Sequence, residues 1–369
     1  MVFPLRSVWT LALNTPLSAA PAWDDTRGYF PLDGGRLVAY TLRTGTQIWI
    51  ADIATTETPA AGGDRVFVAQ AAALLALDAA TGTLLWQLPF AETLGAPLVW
   101  GNGWLIAATA SGRVLAFRAD DGHLIWDVDL GAKANARPAF SGSTLYVPLA
   151  DARVAALDVD TGQTRWEHKL GGAPHDILPL EDRLYVGAKD NFFYALDTKD
   201  GRIAWRWRTG ADAIGLPAVD ARAVYFVSLD NVLRALKRSS GVQLWMTPLP
   251  LRPMAGPLRA LESLVVSGLT PTLRGFGTED GKVAGDIATE GEIAAPPHLV
   301  DTPGTFGPSV AVVTRDLTRG AVVALYTRRI EPPVFPIAVL PNPVGGNPMP
   351  APGAPPVPVV PPMPPGPFR

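Results

Sequence analysis

Six polar residues form the group most able to do chemistry: Lys133, Asn135 and Arg137, then the adjacent His175 and Asp176, then Asp212. Basic and acidic groups converging on one opening can hold an anion, a metal ion or a partner's side chain. They can equally line a solvated rim and satisfy one another as internal ion pairs. His175 and Asp176 are neighbours, so on a strand their side chains leave on opposite faces, which argues against joint chemistry. A second motif, Asp158-Val-Asp160-Thr-Gly162, echoes the start of a Ca²⁺ loop. A complete loop needs further oxygen ligands and a downstream Glu at fixed spacing. Those are missing, and Arg118 and Lys237 replace the first Asp in sister segments, so the motif reads as a turn. The four histidines (His123, His168, His175 and His298) make no ligand pair at helical or hairpin spacing. Neither a Gly-rich phosphate loop nor a nucleophile elbow occurs. No catalytic residue and no metal ligand is therefore assigned, and the six polar residues stand as weak candidates for a rim site.

Composition narrows the field further. The net charge is −3 and charged residues make up only 18% of the 369, so no basic patch points to nucleic acid or anionic lipid. Having no cysteine, the sequence forms no disulfide, thiolate metal site or cysteine nucleophile. It also lacks a run of eighteen apolar residues, so no helix of this sequence is expected to span a membrane. The opening MVFPLRSVWTLALNTPLSAA has the outline of an export signal ending in small residues. Asn14 and Pro16 break its apolar stretch, Arg6 is its one charge, and the repeat described next claims the same residues for the fold.

The elements that must position these residues come from an internal repeat. An eleven-residue pattern places Ala, then Gly six positions later, then Trp four further on. It reads AYTLRTGTQIW ending at Trp49, ALDAATGTLLW at Trp86, AFRADDGHLIW at Trp126, ALDVDTGQTRW at Trp166, ALDTKDGRIAW at Trp205 and ALKRSSGVQLW at Trp245. Successive tryptophans are 37, 40, 40, 39 and 40 residues apart, and Trp9 lies 40 residues before Trp49. GFGTEDGKVAG keeps the turn but loses the Trp, and AVVALYTRR keeps only the strand. A segment with proline recurs at one phase (Pro21, Pro59, Pro97, Pro138, Pro217, Pro257 and Pro297), with Leu178 in the remaining slot. Proline is best tolerated at the start or edge of a strand, so these segments are placed innermost, on an axial channel. Apolar strands such as RVFVAQ follow, then the Ala-Leu-Asp strand, then the strand that the Trp begins. Asp-x-x-Thr-Gly supplies the turn between them, its Asp bonding the backbone and its Gly free to take a positive φ. Four strands per forty residues is the size of a propeller blade. The fold class is thus all-β: a single eight-bladed β-propeller over residues 1–330, with four-stranded antiparallel blades. The spare strand around Trp9 pairs with the last blade near 295–330 and closes the ring. Residues 331–369 hold 16 prolines in 39 positions and read as a disordered proline-rich tail: an inert spacer, a docking segment for an aromatic groove, or an extension reaching the cell wall.

The Ala-x-Asp-x-x-Thr-Gly-x-x-x-Trp pattern, over roughly residues 5–330, resembles the PQQ-like propeller repeat. That family includes quinoprotein dehydrogenases and, closest in style, the outer-membrane assembly factor BamB. The resemblance implies that the Trp of one blade packs on the Ala and Gly of its neighbour. Trp9, Trp49, Trp86, Trp126, Trp166, Trp205 and Trp245 then have a structural role, docking blade on blade. Burying one indole removes about 150–250 Å² from water, roughly 4–6 kcal/mol as an upper bound. None of the dehydrogenases' catalytic residues matches a position here by motif, and their adjacent cysteines cannot exist in this sequence. The reading is a non-catalytic, monomeric, protein-binding scaffold of the bacterial cell envelope or periplasm, without a cofactor, whose inter-strand loops on one face meet a protein partner. The lipidated cysteine usual in BamB relatives is missing, which keeps a cytoplasmic interaction module open. The alternatives are an oxidoreductase binding pyrroloquinoline quinone (PQQ) with Ca²⁺, and a ligand-sensing propeller.

Overall fold

The computed structural model describes residues 2–301 and 307–329, so the segment 331–369 lies outside the described residues. Every regular element among them is a strand, and the strands form eight antiparallel sheets. Blade 4 is typical: Ala139–Ser141, Thr144–Pro148, Arg153–Asp158 and Thr164–Lys169 pair in chain order. The middle two strands are apolar on both faces because each is sandwiched between neighbouring blades. The outer strand alternates, one face packed and the other in water. Six of the seven prolines lead into the inner strands, as expected from proline's missing N–H, and Pro217 lies inside Ala213–Val219 at a register shift that spares it a ladder bond.

The repeat motif explains itself in the register. Each motif Ala stands directly opposite its own blade's Trp, from Ala39–Trp49 to Ala235–Trp245, with a bulge at the next residue. A larger side chain than Ala opposite the Trp would crowd the indole. The in-register Ala belongs to the same blade as the Trp. The glycine does belong to the next blade. A Cβ on Gly162 (φ +72°) would sit 2.7 Å from the Trp126 ring, and Gly82, Gly122, Gly201, Gly241 and Gly281 meet Trp49, Trp86, Trp166, Trp205 and Trp245 in the same way. Each indole N–H then donates to a carbonyl of that next blade, Trp126 to Val159 at 2.7 Å and Trp49 to Ala79 at 3.0 Å. The seven are not equal. Trp49 and Trp126 are 7% and 8% exposed, while the other five are only part-buried.

Ring closure uses both ends of the chain. Leu5–Ala12 pairs with Gly320–Arg328, and Trp9 lies over Gly45 of blade 1 and donates to the Leu42 carbonyl at 3.2 Å. Blade 8 differs from the others in that its inner edge is split into Glu292–Ile293 and His298–Val300, both on Ser309–Asp316. Blade 7 has Gly285 where the Trp should be, and the gap is filled from the N-terminus. Phe3 lies on Gly275 and Gly285, 6% exposed, and the fully buried Val2 donates its N–H to the Ser263 hydroxyl at 3.0 Å. Residues 2–12 are thus structural members of the ring.

Four variants test these junctions by urea unfolding. Trp126→Ala should lose about 3–5 kcal/mol and the less buried Trp166→Ala less than that; an unchanged midpoint for Trp126→Ala would refute the docking role. Gly162→Ala should cost roughly 1–3 kcal/mol through positive-φ strain and the ring contact. Phe3→Ala should cost about 3–5 kcal/mol although it lies outside every repeat.

Candidate functional site

Because strands alternate in direction, two loop sets share each face of the ring. One face carries the links from an outer strand to the next inner strand together with the hairpins between second and third strands. The opposite face carries the first-to-second hairpins and the Asp-x-x-Thr-Gly turns. All six predicted rim residues lie on the first face or on the inner strands that rise to it.

Blades 5 and 6 shape this mouth. Their inner strands, Pro174–Leu180 and Ala213–Val219, run seven residues where most others run two or three, and each has a register shift. Gly215 and Gly256 let the chain of blade 6 pass close to that of blade 7, where a side chain on either would strike the other's backbone. Leu216 and Met254 are left about half exposed beside this crossing.

Within this frame the six residues separate into two groups. His175 turns toward blade 6, its Nε2 lying 3.9 Å from the Asp212 carboxylate. That nitrogen is buried and has no hydrogen-bond partner among the described residues. Burial lowers the His175 pKa, with Asp212 pulling it back up and Lys189 pushing it down. Asp176 is within electrostatic reach of Arg137, which leads into blade 4, as well as of His175. Burial raises the Asp176 pKa and Arg137 opposes the rise; burial likewise lowers the Arg137 pKa and Asp176 opposes that. Arg137 keeps accessible surface although protein surrounds it, as a side chain in a solvated bore does. Asn135 bridges the groups, donating to the Pro174 carbonyl at 2.8 Å and accepting from Lys189 Nζ at 3.4 Å. The exposed Lys133 makes none of these side-chain contacts. Among the described residues no group of three or more His, Cys, Asp or Glu side chains is placed to hold a metal ion. The Asp158 segment is a turn: its carboxylate accepts from the Asp160 and Thr161 N–H groups and pairs with Arg165 at 2.6 Å. Arg165, then Thr161, pull its pKa down to about 2.

Sequence reasoning missed two parts of the mouth. Lys189 sits on a hairpin of blade 5, out of phase with the proline segments. Across the mouth, the loops of blades 1, 2 and 3 enclose a cleft of about 490 Å³ that holds Asp33, Glu57 and Glu92. Glu92 precedes Pro97 by five residues, the offset at which Lys133 precedes Pro138, and that phase was the signal that could have found it. Glu92 is paired with Arg113 at 2.5 Å. Asp33 and Glu57 have no side-chain hydrogen bond or ion pair among the described residues, and burial raises the Glu57 pKa. The mouth is therefore acidic in the cleft over blades 1–3 and of mixed charge over blades 4–7, where Lys133, Arg137, Lys189 and Arg252 lie among Asp151, Asp176, Asp190, Asp212 and Asp230.

Between these sectors, on the blade 8 side, His298 stacks on Trp23 with ring centroids 5.0 Å apart and planes 6° from parallel. Burial lowers its pKa from 6.5 to about 4. The unfolded chain thus binds this proton at a higher pH than the fold does. The associated stability is complete above pH 6.5 and is lost as pH falls toward 4, by about 2–3 kcal/mol. His298→Phe, which keeps the stack, should flatten that acid limb in unfolding curves taken from pH 7 to 4. An unaltered limb would remove His298 as its source.

Comparison with known proteins adds the following. A family model described as "Outer membrane protein assembly factor BamB" matches residues 33–178 and 177–295. The outer membrane protein assembly factor BamB of Yersinia pestis is 28% identical over 115 residues, which are 30% of this chain and 27% of that protein. The matched part therefore spans about a quarter of that relative. Among solved structures, BamB from Moraxella catarrhalis superposes with a TM-score of 0.70 at 19% identity, covering 88% of this chain and 99% of that one. A quinohemoprotein alcohol dehydrogenase from Pseudomonas putida HK5 superposes equally well, TM-score 0.70 at 14% identity, over 88% of this chain and 76% of that one. These structural likenesses show the fold, which proteins of different activity share.

Proposed function

The chain belongs to the outer membrane protein assembly factor BamB family, and we propose that it works as a non-catalytic scaffold of the bacterial cell envelope. In this reading the face carrying the mouth binds a protein partner. The single observation that carries the proposal is the density of charged groups of both signs around that mouth. Asp33, Glu57 and Lys133 there have no side-chain hydrogen bond or ion pair among the described residues. Such a surface selects and orients a macromolecule of complementary charge more than it binds a small apolar ligand. The half-exposed Leu216 and Met254 add apolar contact of the kind found within an interface.

The alternative is a quinone with Ca²⁺ in the bore, and the donor set suits it poorly. Asp176 and Asp212 lie on different blades, and both act on His175. Among the described residues no group of three or more His, Cys, Asp or Glu side chains is placed to hold a cation, so no step is derived through that cofactor.

Two experiments test the proposal. Titration with PQQ and Ca²⁺, read by tryptophan fluorescence and a dye-linked alcohol or sugar oxidation assay, should show no saturable binding at micromolar ligand. Saturable binding with turnover would sink the scaffold and send mutagenesis to Lys133, Arg137 and Asp212. Photocrosslinking from Leu216 or Met254 in envelope fractions should trap a discrete partner, whereas the same label at Asp160 on the opposite face should not.

A further inference from the structure

We infer that Leu216, Met254, Leu269 and Arg252, on blades 6 and 7, form a platform that docks an apolar segment of a protein partner carrying one aspartate or glutamate. This rests on the scaffold proposal and names the partner's chemistry at one sector of the mouth. Among the described residues, every large hydrophobic side chain exposed on the mouth face belongs to blades 6–8: Leu216, Met254, Leu269 and Leu317. The other exposed ones lie on outer strands or on the opposite face. Apolar surface gathered in one sector of one face marks an interaction site, whereas single scattered residues would not.

The link from blade 6 to blade 7 builds the platform. Leu249, Leu251 and Pro253 are buried, while Pro250, Arg252 and Met254 between and after them are exposed. Extended backbone sends alternate side chains to opposite sides, so Arg252 and Met254 leave the surface together. Pro253 bridges to Gly268 of the blade 7 hairpin, and the Leu269 N–H donates to the Arg252 carbonyl at 3.3 Å, which sets Arg252 beside Leu269. Gly256 lies so close to the Leu216 carbonyl that a Cβ would strike it, and this crossing brings Leu216 to the same link. Pro250, Pro253 and Pro257 fix φ along the link, so its side chains are presented with little ordering left to lose on binding. Charge decides the kind of segment. On this face of blades 6 and 7, Asp230 is paired with Arg234 at 2.7 Å and Asp212 faces His175. Arg252 has no side-chain hydrogen bond or ion pair among the described residues. An apolar platform with one unmatched guanidinium complements aliphatic side chains flanking one carboxylate. A bilayer fits less well, because Asp33 and Glu57 on the same face repel anionic headgroups.

The test uses the full chain and fluorescence anisotropy with two labelled peptides, Ser-Leu-Leu-Asp-Leu-Leu-Ser and the same peptide with Asn in place of Asp. The Asp peptide should bind saturably, about threefold tighter than the Asn peptide, the worth of one exposed ion pair. Met254→Ser with Leu269→Ser should weaken both peptides about tenfold through lost apolar contact, with no change in melting temperature. Arg252→Gln should abolish the preference for Asp and leave the Asn peptide unmoved. Leu84→Ser with Leu85→Ser removes a similarly exposed apolar pair from the outer edge of blade 2 and should leave binding within a factor of two. Equal weakening by both pairs would mean that apolar exposure anywhere suffices, and would overturn the platform. An Asp preference that survives Arg252→Gln would overturn the acidic partner. Sedimentation of the chain with phosphatidylglycerol vesicles, lost in the Met254/Leu269 variant, would assign the patch to a membrane and overturn the protein partner. The two readings fail separately. A partner trapped from Leu216 equally well in the Met254/Leu269 variant, with peptide affinity unmoved, removes the platform alone. Peptide binding that follows these variants, without any crosslinked partner, removes the scaffold alone.

Discussion

One contact recurs around the ring and the rest of the structure depends on it: an indole laid flat against a positive-φ glycine of the next blade. A twisted four-stranded sheet has two apolar faces and cannot cover either by itself. Each face must meet another sheet at a fixed angle, and the indole fixes that angle. It needs a small residue opposite it in its own blade, which is Ala, and a residue without a Cβ in the next, which is Gly. Its N–H then finds a carbonyl at a set height, as Trp126 does on Val159. Three residue types at fixed spacing thereby encode a lateral junction as well as a hairpin.

Because that junction is written within eleven residues, the architecture was legible from sequence. The blade number, the strand order, the inner placement of the proline segments and the pairing of the Trp9 strand with the last blade can all be read from the period. What escaped the sequence is what the period does not repeat. Phe3 stands in for the Trp missing at Gly285, but it lies more than 280 residues away in the chain and belongs to no motif. A long-range substitution of this kind leaves no local signal.

The mouth was legible in part for the same reason. The phase of the proline segments placed His175, Asp176 and Asp212 together at the inner edge of the ring, where His175 Nε2 lies 3.9 Å from the Asp212 carboxylate. It could not show that Lys189 comes in from a hairpin of different phase. Nor could it show that Asp33, from a second-to-third hairpin, shares a cleft with Glu57 from an inter-blade link. Proximity between loops of neighbouring blades follows from the closed ring, and only the folded chain displays it. The acidic cleft of the mouth arises in this way, from side chains unremarkable in their own segments.

The pairing of Leu5–Ala12 with Gly320–Arg328 has a consequence for biosynthesis. The strand made first takes as its partner the last strand of the ring, so the ring cannot close while the chain is still being made. At ribosomal speeds of about 5–20 residues per second the early strand waits roughly fifteen to sixty seconds with its edge unpaired. Throughout that time SVWTLAL is a free template for any other strand in the cell. A nascent chain of this kind must either be held by a chaperone or park its first strand on the blades already formed.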